Sequence, residues 1–345
     1  MPRPFIQGNS TMHMLNYTGK RLLLMIPTIL LISFAVFFII QLPPGDYVSS
    51  YVARMSAEGE YFTQQMIDDM RAEYGLDRPW YIQYFHWIWG IISRGDFGYS
   101  FSYLRPVWPV IMDRLGITVA ISLIIMAFTY LVSLPIGIYS ANHQYKAGDY
   151  LFTFLGFIGM ATPNFLLAII LMYFSYVRTG TPYIGLFSDE MLMYGLTFAN
   201  FGEFLKRLSI PIIVIGTGNT CSIIRTVRSQ MLDEQGKQYT LTARSKGVSE
   251  KRITYKYCLR SALNPVVSGL SGALSAIFTG STISAIVMNL PIQGPVLYTA
   301  LRNQDMYLAG TILLVQAVLV VFGTLLADIT LAWLDPRIRF EKVKE

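Results

Sequence analysis

Six stretches of this chain are long, apolar and free of charge. Residues 22–40, 117–139, 151–177, 208–224, 265–288 and 307–327 contain no Asp, Glu, Lys or Arg. A hydrocarbon core about 30 Å thick is crossed by roughly 20 apolar residues in a helix, whereas runs of about 10–14 suit buried helices of soluble proteins. The fourth run is the shortest and holds Thr217, Asn219 and Thr220. Charged residues are only 14% of the 345 and hydrophobic residues 53%. Soluble domains carry about 25% charged residues, and a chain this poor in charge would expose large apolar patches to water. Disorder and a nucleic-acid-binding domain fit poorly for the same reason. Two cysteines, Cys221 and Cys258, cannot build a secreted disulfide scaffold. The expected fold is an all-α membrane protein with six transmembrane helices.

Charge in the connecting segments orients those helices. With the N-terminus inside, the inner segments 1–21, 140–150, 225–264 and 334–345 carry 17 basic and 7 acidic residues; the outer segments carry 10 and 13. Excess Lys and Arg belongs on the cytoplasmic side. Both termini are therefore expected in the cytoplasm, and both cysteines fall on or near that side as free thiols. The chain divides into a cytoplasmic segment 1–21, a first transmembrane helix 22–40, an external segment 41–116, a core of five helices 117–333 and a cytoplasmic tail 334–345. Lys20 and Arg21 precede the first run as in a signal peptide, but the run has 19 residues and no small-residue cleavage site follows. It reads as a retained helix that exits at Gln41-Leu42-Pro43-Pro44-Gly45.

The external segment predicts two helices. Residues 62–74 have Thr63 as N-cap and Gly75 just past the end, and Pro79 blocks continuation. Residues 79–92 form the second, with Trp80, Tyr81, Tyr84, Phe85, Trp87 and Trp89. Aromatics so dense beside a membrane favour its interface. A cap packed on the outer mouth and a surface that guides substrate or holds a partner both fit. Arg94-Gly95-Asp96 is too short to carry an adhesion role.

Two spans carry polar features. Thr162-Pro163-Asn164 interrupts the third, where proline predicts a kink and an Asn in hydrocarbon needs a partner or a wet cavity. Asn164 either bonds a neighbouring helix or lines a polar pathway with Pro163. The fifth is rich in Gly, Ala and Ser, and small residues such as Gly272 and Ala276 let helices approach closely. Tight packing, or a hydroxyl-lined face with Ser275 and Ser281 beside a translocation path, explains this composition. Asn219 in the fourth span is a further pathway candidate.

Chemistry of its own is not written in this chain. It lacks a phosphate-binding loop, HExxH, CxxC and GxSxG. His13, His86 and His143 are far apart in sequence, and only Asp328 lies near a span, at its expected end. An ion relay needs buried acids or bases. A chain like this, if it moves a solute, draws its energy from a partner.

The segment between the fourth and fifth spans points to that partner. It predicts a short helix up to Lys246, with Gly247 where positive φ is tolerated, then a second basic helix capped by Ser249 with Glu250 in its first turn. Such an element is either a basic loop held by anionic lipid or a dock for a cytoplasmic protein. The run Tyr239-Thr240-Leu241-Thr242-Ala243-Arg244-Ser245-Lys246-Gly247, followed by Arg260-Ser261-Ala262-Leu263-Asn264-Pro265, resembles the inner loop of binding-protein-dependent ABC importer permeases. It is most similar to the dipeptide/oligopeptide/nickel branch. Pro43-Pro44-Gly45-Asp46, Tyr74-Gly75-Leu76-Asp77-Arg78-Pro79, Arg94-Gly95-Asp96-Phe97-Gly98 and Leu134-Pro135-Ile136-Gly137 extend the likeness over nearly the whole chain. The general loop of the superfamily begins Glu-Ala-Ala; here Leu241 stands at the Glu position, as is usual in the peptide branch, while Ala243 and Gly247 match.

The resemblance implies a non-enzymatic permease subunit in the inner membrane of a prokaryote. It would form half of a pathway with a second, homologous permease, and its coupling loop, at about 231–262, would dock on one of two cytoplasmic ATPase subunits. Thr242, Ala243, Arg244, Ser245, Lys246 and Gly247 would form the contact, with Ala243 allowing close approach and Arg244 and Lys246 pairing acidic groups on the ATPase. This chain would bind no cofactor, ATP and Mg belonging to the partners; an external binding protein would deliver peptides. Besides these proteins and membrane lipid, no nucleic acid is implied. Oligosaccharides or nickel are alternative solutes within the same architecture, and a self-contained channel is the alternative of another class.

Overall fold

The computed structural model describes residues 10–270, 272 and 282–334. Helix dominates; the described residues hold one sheet, a hairpin pairing β1 (Tyr99–Ser100) with β2 (Arg105–Pro106). Four described helices are long and apolar enough to cross a membrane, within α1 (Ser10–Ile40), α5 (Val107–Asn142), α9 (Phe201–Gln235) and a last helix, α16 (Met306–Leu334). They contain the expected runs 22–40, 117–139, 208–224 and 307–327. Leu23, Leu31 and Leu131 stay exposed, as side chains facing lipid would.

The third expected span is not one kinked rod. α6 (Ala147–Ala161) and α7 (Asn164–Thr179) pass the same test only together, and they diverge by 103°. Proline disfavours the helical region for the residue before it and has no N–H to donate. Thr162 (ψ 121°) and Pro163 (ψ 133°) are accordingly extended, so the ladder stops and restarts. Of the fifth expected span, α13 (Asn264–Ser268) and α14 (Thr282–Val287) are described, and most of the rest lies outside the described residues.

The described chain separates into two compact units. One comprises Met25–Val119 and Pro291–Leu319. Its short helices are α2 (Tyr47–Ala57), α3 (Gln64–Glu73), α4 (Trp80–Arg94) and α15 (Gln293–Arg302). α3 starts where Thr63 Oγ1 accepts the Met66 N–H, and Gly75 follows its end with φ +67°. Asp46 caps α2 by accepting from Ser49 N at 2.7 Å, and Arg71 Nε reaches the same carboxylate at 2.8 Å. Phe37, Tyr84, Trp87, Met306 and Leu314 form a buried cluster, and Tyr84 Oη meets Ser33 Oγ at 2.9 Å inside it. Gly98 (φ +89°) lies so close to Tyr307 that a Cβ would come within 3.1 Å of its ring. Buried Asp305 holds the hairpin, accepting from Ser100 Oγ at 2.7 Å and Ser102 N at 2.9 Å.

The other unit comprises the described residues of 120–290, with 10–24 and 320–334 at its ends. α9 is its axis. At Gly159 of α6 a Cβ would lie 2.8 Å from Cys221 Sγ and Thr217 Cγ2 of α9; at Gly137 of α5 it would lie 2.8 Å from Val227. No real side chain tolerates such distances, so both glycines permit helices to close on α9. Arg228 grips Asp149, in the first turn of α6, through two hydrogen bonds of 2.7 Å. Asp328 lies inside α16 rather than at a helix end, because the helix continues to Leu334. Arg21 Nη1 stands 3.0 Å from its carboxylate, which compensates the charge.

Candidate functional site: the loop after α9

α9 ends at Gln235, and the chain turns through Gly236 (φ −81°, ψ −10°) and Lys237 into α10 (Gln238–Ser245). The far end of α10 closes with two bonds: Gly247 N donates to Arg244 O at 2.9 Å and Val248 N to Ala243 O at 3.1 Å. This pair, with Gly247 at φ +73°, is a Schellman cap. Nothing lies within 4 Å of a Cβ built on Gly247, so the backbone alone demands glycine there.

The cap orients the helix. Ala243 is 8% exposed and packs with Val227, Met231, Ile253, Cys258 and Ala262 of this same chain. Val248 packs against that cluster, the apolar contact that accompanies such a cap. Ala243 is thus small because its own scaffold crowds it. The face turned away carries Gln238, Leu241, Thr242 and Ser245, all exposed, at helical spacings of three, four and seven. Leu241, 44% exposed, is the apolar centre of that stripe.

Arg244 is engaged within the loop: Nε donates to Glu250 Oε1 at 2.7 Å and Nη2 to Oε2 at 3.2 Å. The guanidinium holds the Glu250 carboxyl below its ordinary range. Lys246 is exposed. Ser249 stands at the N-cap of α11 (Glu250–Arg252) without a side-chain cap bond, and the chain then widens into a π-helical turn, Ile253–Cys258. A π turn returns to the same face after about five residues rather than four. Ile253 and Cys258, five apart, therefore both enter the cluster.

Glu234 was given no role by sequence, and Tyr239 and Thr240 stood only as part of the loop motif, yet the three join α9 to α10. Glu234 is 6% exposed. Its carboxylate accepts from Lys237 Nζ at 2.6 Å and from the Tyr239 hydroxyl, and its carbonyl accepts from buried Thr240 Oγ1 at 2.9 Å. Burial, with the Glu234 carboxylate beside it, pushes the Tyr239 hydroxyl up to about 12. An acid followed by Lys and Tyr at offsets of three and five was the available signal; it looks like any polar helix end.

Asn219, Ser222 and Thr226 lie on one face of α9 and line a cleft of about 230 Å³ with Tyr130, Gly269 and Gly272. Of the expected pathway residues, Asn219 lines this cleft and Pro163 and Asn164 do not. Pro163 is exposed and Asn164 half-buried at the α6–α7 break. Asn164 Oδ1 lies beside Gly218, where a Cβ would come within 3.9 Å of it. Ser275 and Ser281 lie outside the described residues.

A helix that leaves the end of a long apolar helix, packs one side on its own chain and presents the other is suited to receive force from a second protein. Comparison with known families gives the class of protein. Residues 133–340 match the family of binding-protein-dependent transport system inner membrane components, and residues 14–122 match the N-terminal model of the same systems. The chain belongs to this family. The permease is 32% identical over 325 residues, 94% of its length and 99% of the relative's, to the oligopeptide transport system permease protein AppB of Bacillus subtilis. It is 30% identical over 345 residues, 95% and 100% of the two lengths, to the dipeptide transport system permease protein DppB of Escherichia coli. It is 29% identical over 367 residues to the peptidoglycan transport system permease protein YejB of Agrobacterium fabrum, covering 94% and 98%. The permease is therefore a multi-pass membrane component of a transport complex, not itself its catalyst.

Proposed function

We propose that the permease is the pore-forming subunit of an ATP-driven ABC importer of peptides, in a prokaryotic inner membrane. The observation that carries the docking role is the exposed stripe Gln238, Leu241, Thr242 and Ser245 on a helix whose other face is anchored by Ala243. Two such chains, this one and a homologous permease, each dock on one of two cytoplasmic ATPase subunits. ATP and Mg reside on those subunits, and their closure moves the docked helices. An external binding protein hands peptides to the outer mouth. The names of the oligopeptide and dipeptide relatives support peptides as the solute.

In this reading the chain crosses the membrane six times with both termini in the cytoplasm. Residues 1–21 and 334–345 are cytoplasmic ends, 22–40 is the first span, 41–116 is external and 117–333 is the core, with the coupling loop at about 231–262. The α6–α7 pair serves as the third span, bent at Pro163. Asn164 and Asn219, with Ser275 and Ser281, line the pathway. Thr242, Ser245 and Lys246 meet the ATPase, while Ala243, Arg244 and Gly247 shape the loop from within.

Reconstitution with the two ATPases, the second permease and the binding protein tests this. Uptake of a labelled dipeptide should require ATP and the binding protein, and Leu241→Asp should abolish co-purification of the ATPase. Uptake by the permease alone would overturn the reading. Reporters fused after Asp69 and Lys237 should read as external and cytoplasmic; the opposite at either site would overturn the topology.

A further inference from the structure

At the corner between α9 and α10 the backbone supplies two long bonds, Gly236 N to Leu232 O and Lys237 N to Glu234 O, each 3.3 Å. Gly236 sits at φ −81°, ψ −10°, a conformation open to any residue, and Lys237 makes no side-chain cap on α10. What spans the corner is Glu234. Its carboxylate takes Lys237 with one oxygen and Tyr239 with the other, and its carbonyl takes Thr240, so three bonds from α10's first turn and its cap converge on one residue of α9. Both Glu234 and Thr240 are buried, and Thr240 also touches Cys258 Sγ at 3.8 Å, in the segment that leads back toward the membrane. A carboxylate at this end of α10 also faces its positive dipole end.

Six residues earlier on α9, Arg228 fixes the helix to α6. A push on α10 therefore meets a rigid corner and is passed to α9. Without the corner bonds, α10 would pivot on Gly236 and Lys237 and the displacement would be lost there. Resting on the docking role proposed above, we infer that Glu234 is a positioning residue that locks the angle of the coupling helix to α9, so that ATPase movement reaches the membrane helices.

The test uses the assembled importer with Glu234→Gln and Tyr239→Phe. Both variants should reach the membrane and co-purify with the ATPases as wild type does, because neither changes the exposed stripe. Peptide taken up per ATP hydrolysed should fall about tenfold for Glu234→Gln, the scale of losing hydrogen bonds to a charged group, and less for Tyr239→Phe. Amide exchange should quicken over residues 238–245 in both. A wild-type uptake-to-hydrolysis ratio, or a proportional fall in uptake and hydrolysis, overturns the inference. If Glu234→Gln does not accumulate, Tyr239→Phe decides by the same ratio. Failure of the docking role shows differently: Leu241→Asp would retain the ATPases.

Discussion

Arg228 and Asp149, far apart in sequence, meet in two parallel hydrogen bonds of 2.7 Å, with the Asp149 side chain only 3% exposed. Asp149 Oδ2 also accepts the Tyr145 N–H at 3.0 Å, so the carboxylate ties α9 to both the first turn of α6 and the loop before it. Removing one partner strands a charge. Arg228→Ala should destabilise the permease by roughly 2–3 kcal/mol, below the value for a fully buried pair because the Arg is partly open. Adding Asp149→Leu to it should recover part of that loss. The thermal midpoint of the detergent-solubilised protein reads both; additive losses would show the pair to be uncoupled.

At Gly247 the expected damage is conformational. A branched residue at φ +73° is strained by about 1–3 kcal/mol although no atom obstructs it. Gly247→Val should leave membrane levels near normal and lower uptake steeply. Gly247→Asn, which tolerates positive φ, should be mild. Equal uptake by both variants would show the cap to be dispensable.

Ala243 and Leu241 separate folding from docking. Ala243→Trp forces a large ring into the cluster with Cys258 and Ala262, and overpacking costs about 1–3 kcal/mol or more. It should lower accumulated protein and thermal stability. Leu241→Asp should leave both unchanged while abolishing ATPase co-purification. Stability assays beside pull-downs distinguish them; reversed effects would mean the helix faces are misassigned.

Asp46 predicts a pH dependence. Burial raises its carboxyl, but the hydrogen bonds from Ser49 and the Arg71 guanidinium outweigh burial and leave it below the ordinary carboxylate value. A folded-state value lowered in this way adds stability that is present above the unfolded value of 3.8 and lost as pH falls through the folded one. Asp46→Ala should cost about 1 kcal/mol as a lost cap at neutral pH and flatten the acid limb of stability. An unchanged acid limb, followed by tryptophan fluorescence, would refute the assignment.

Much of the local architecture was legible because it depends on neighbours in sequence. Thr63 and Gly75 bracket α3, Pro163 stops α6, and Gly247 ends α10, each through a backbone property of one residue. Four of the six uncharged runs lie in helices long enough to span, since apolar length is itself the physical requirement. The family likeness was legible too, carried by short motifs whose glycines turn out to serve turns and close approaches, as at Gly98 and Gly137.

Direction and partnership were decided by the tertiary structure. Ala243 reads from sequence as an outward contact and in fact packs inward, because the Schellman cap and Val248 set the rotation of α10. Arg244 reads as free for a partner and is held by Glu250. The interruption at Pro163 reads as a kink and opens to 103°, since proline sets where a helix stops but packing sets where the next one points. Glu234 reads as one more acid at a helix end. It becomes a corner only when the chain folds back to bring Lys237, Tyr239 and Thr240 around it. Sequence determines where this chain can be helical and apolar; which side of each helix meets which neighbour is a property of packing, and one residue's type does not encode it.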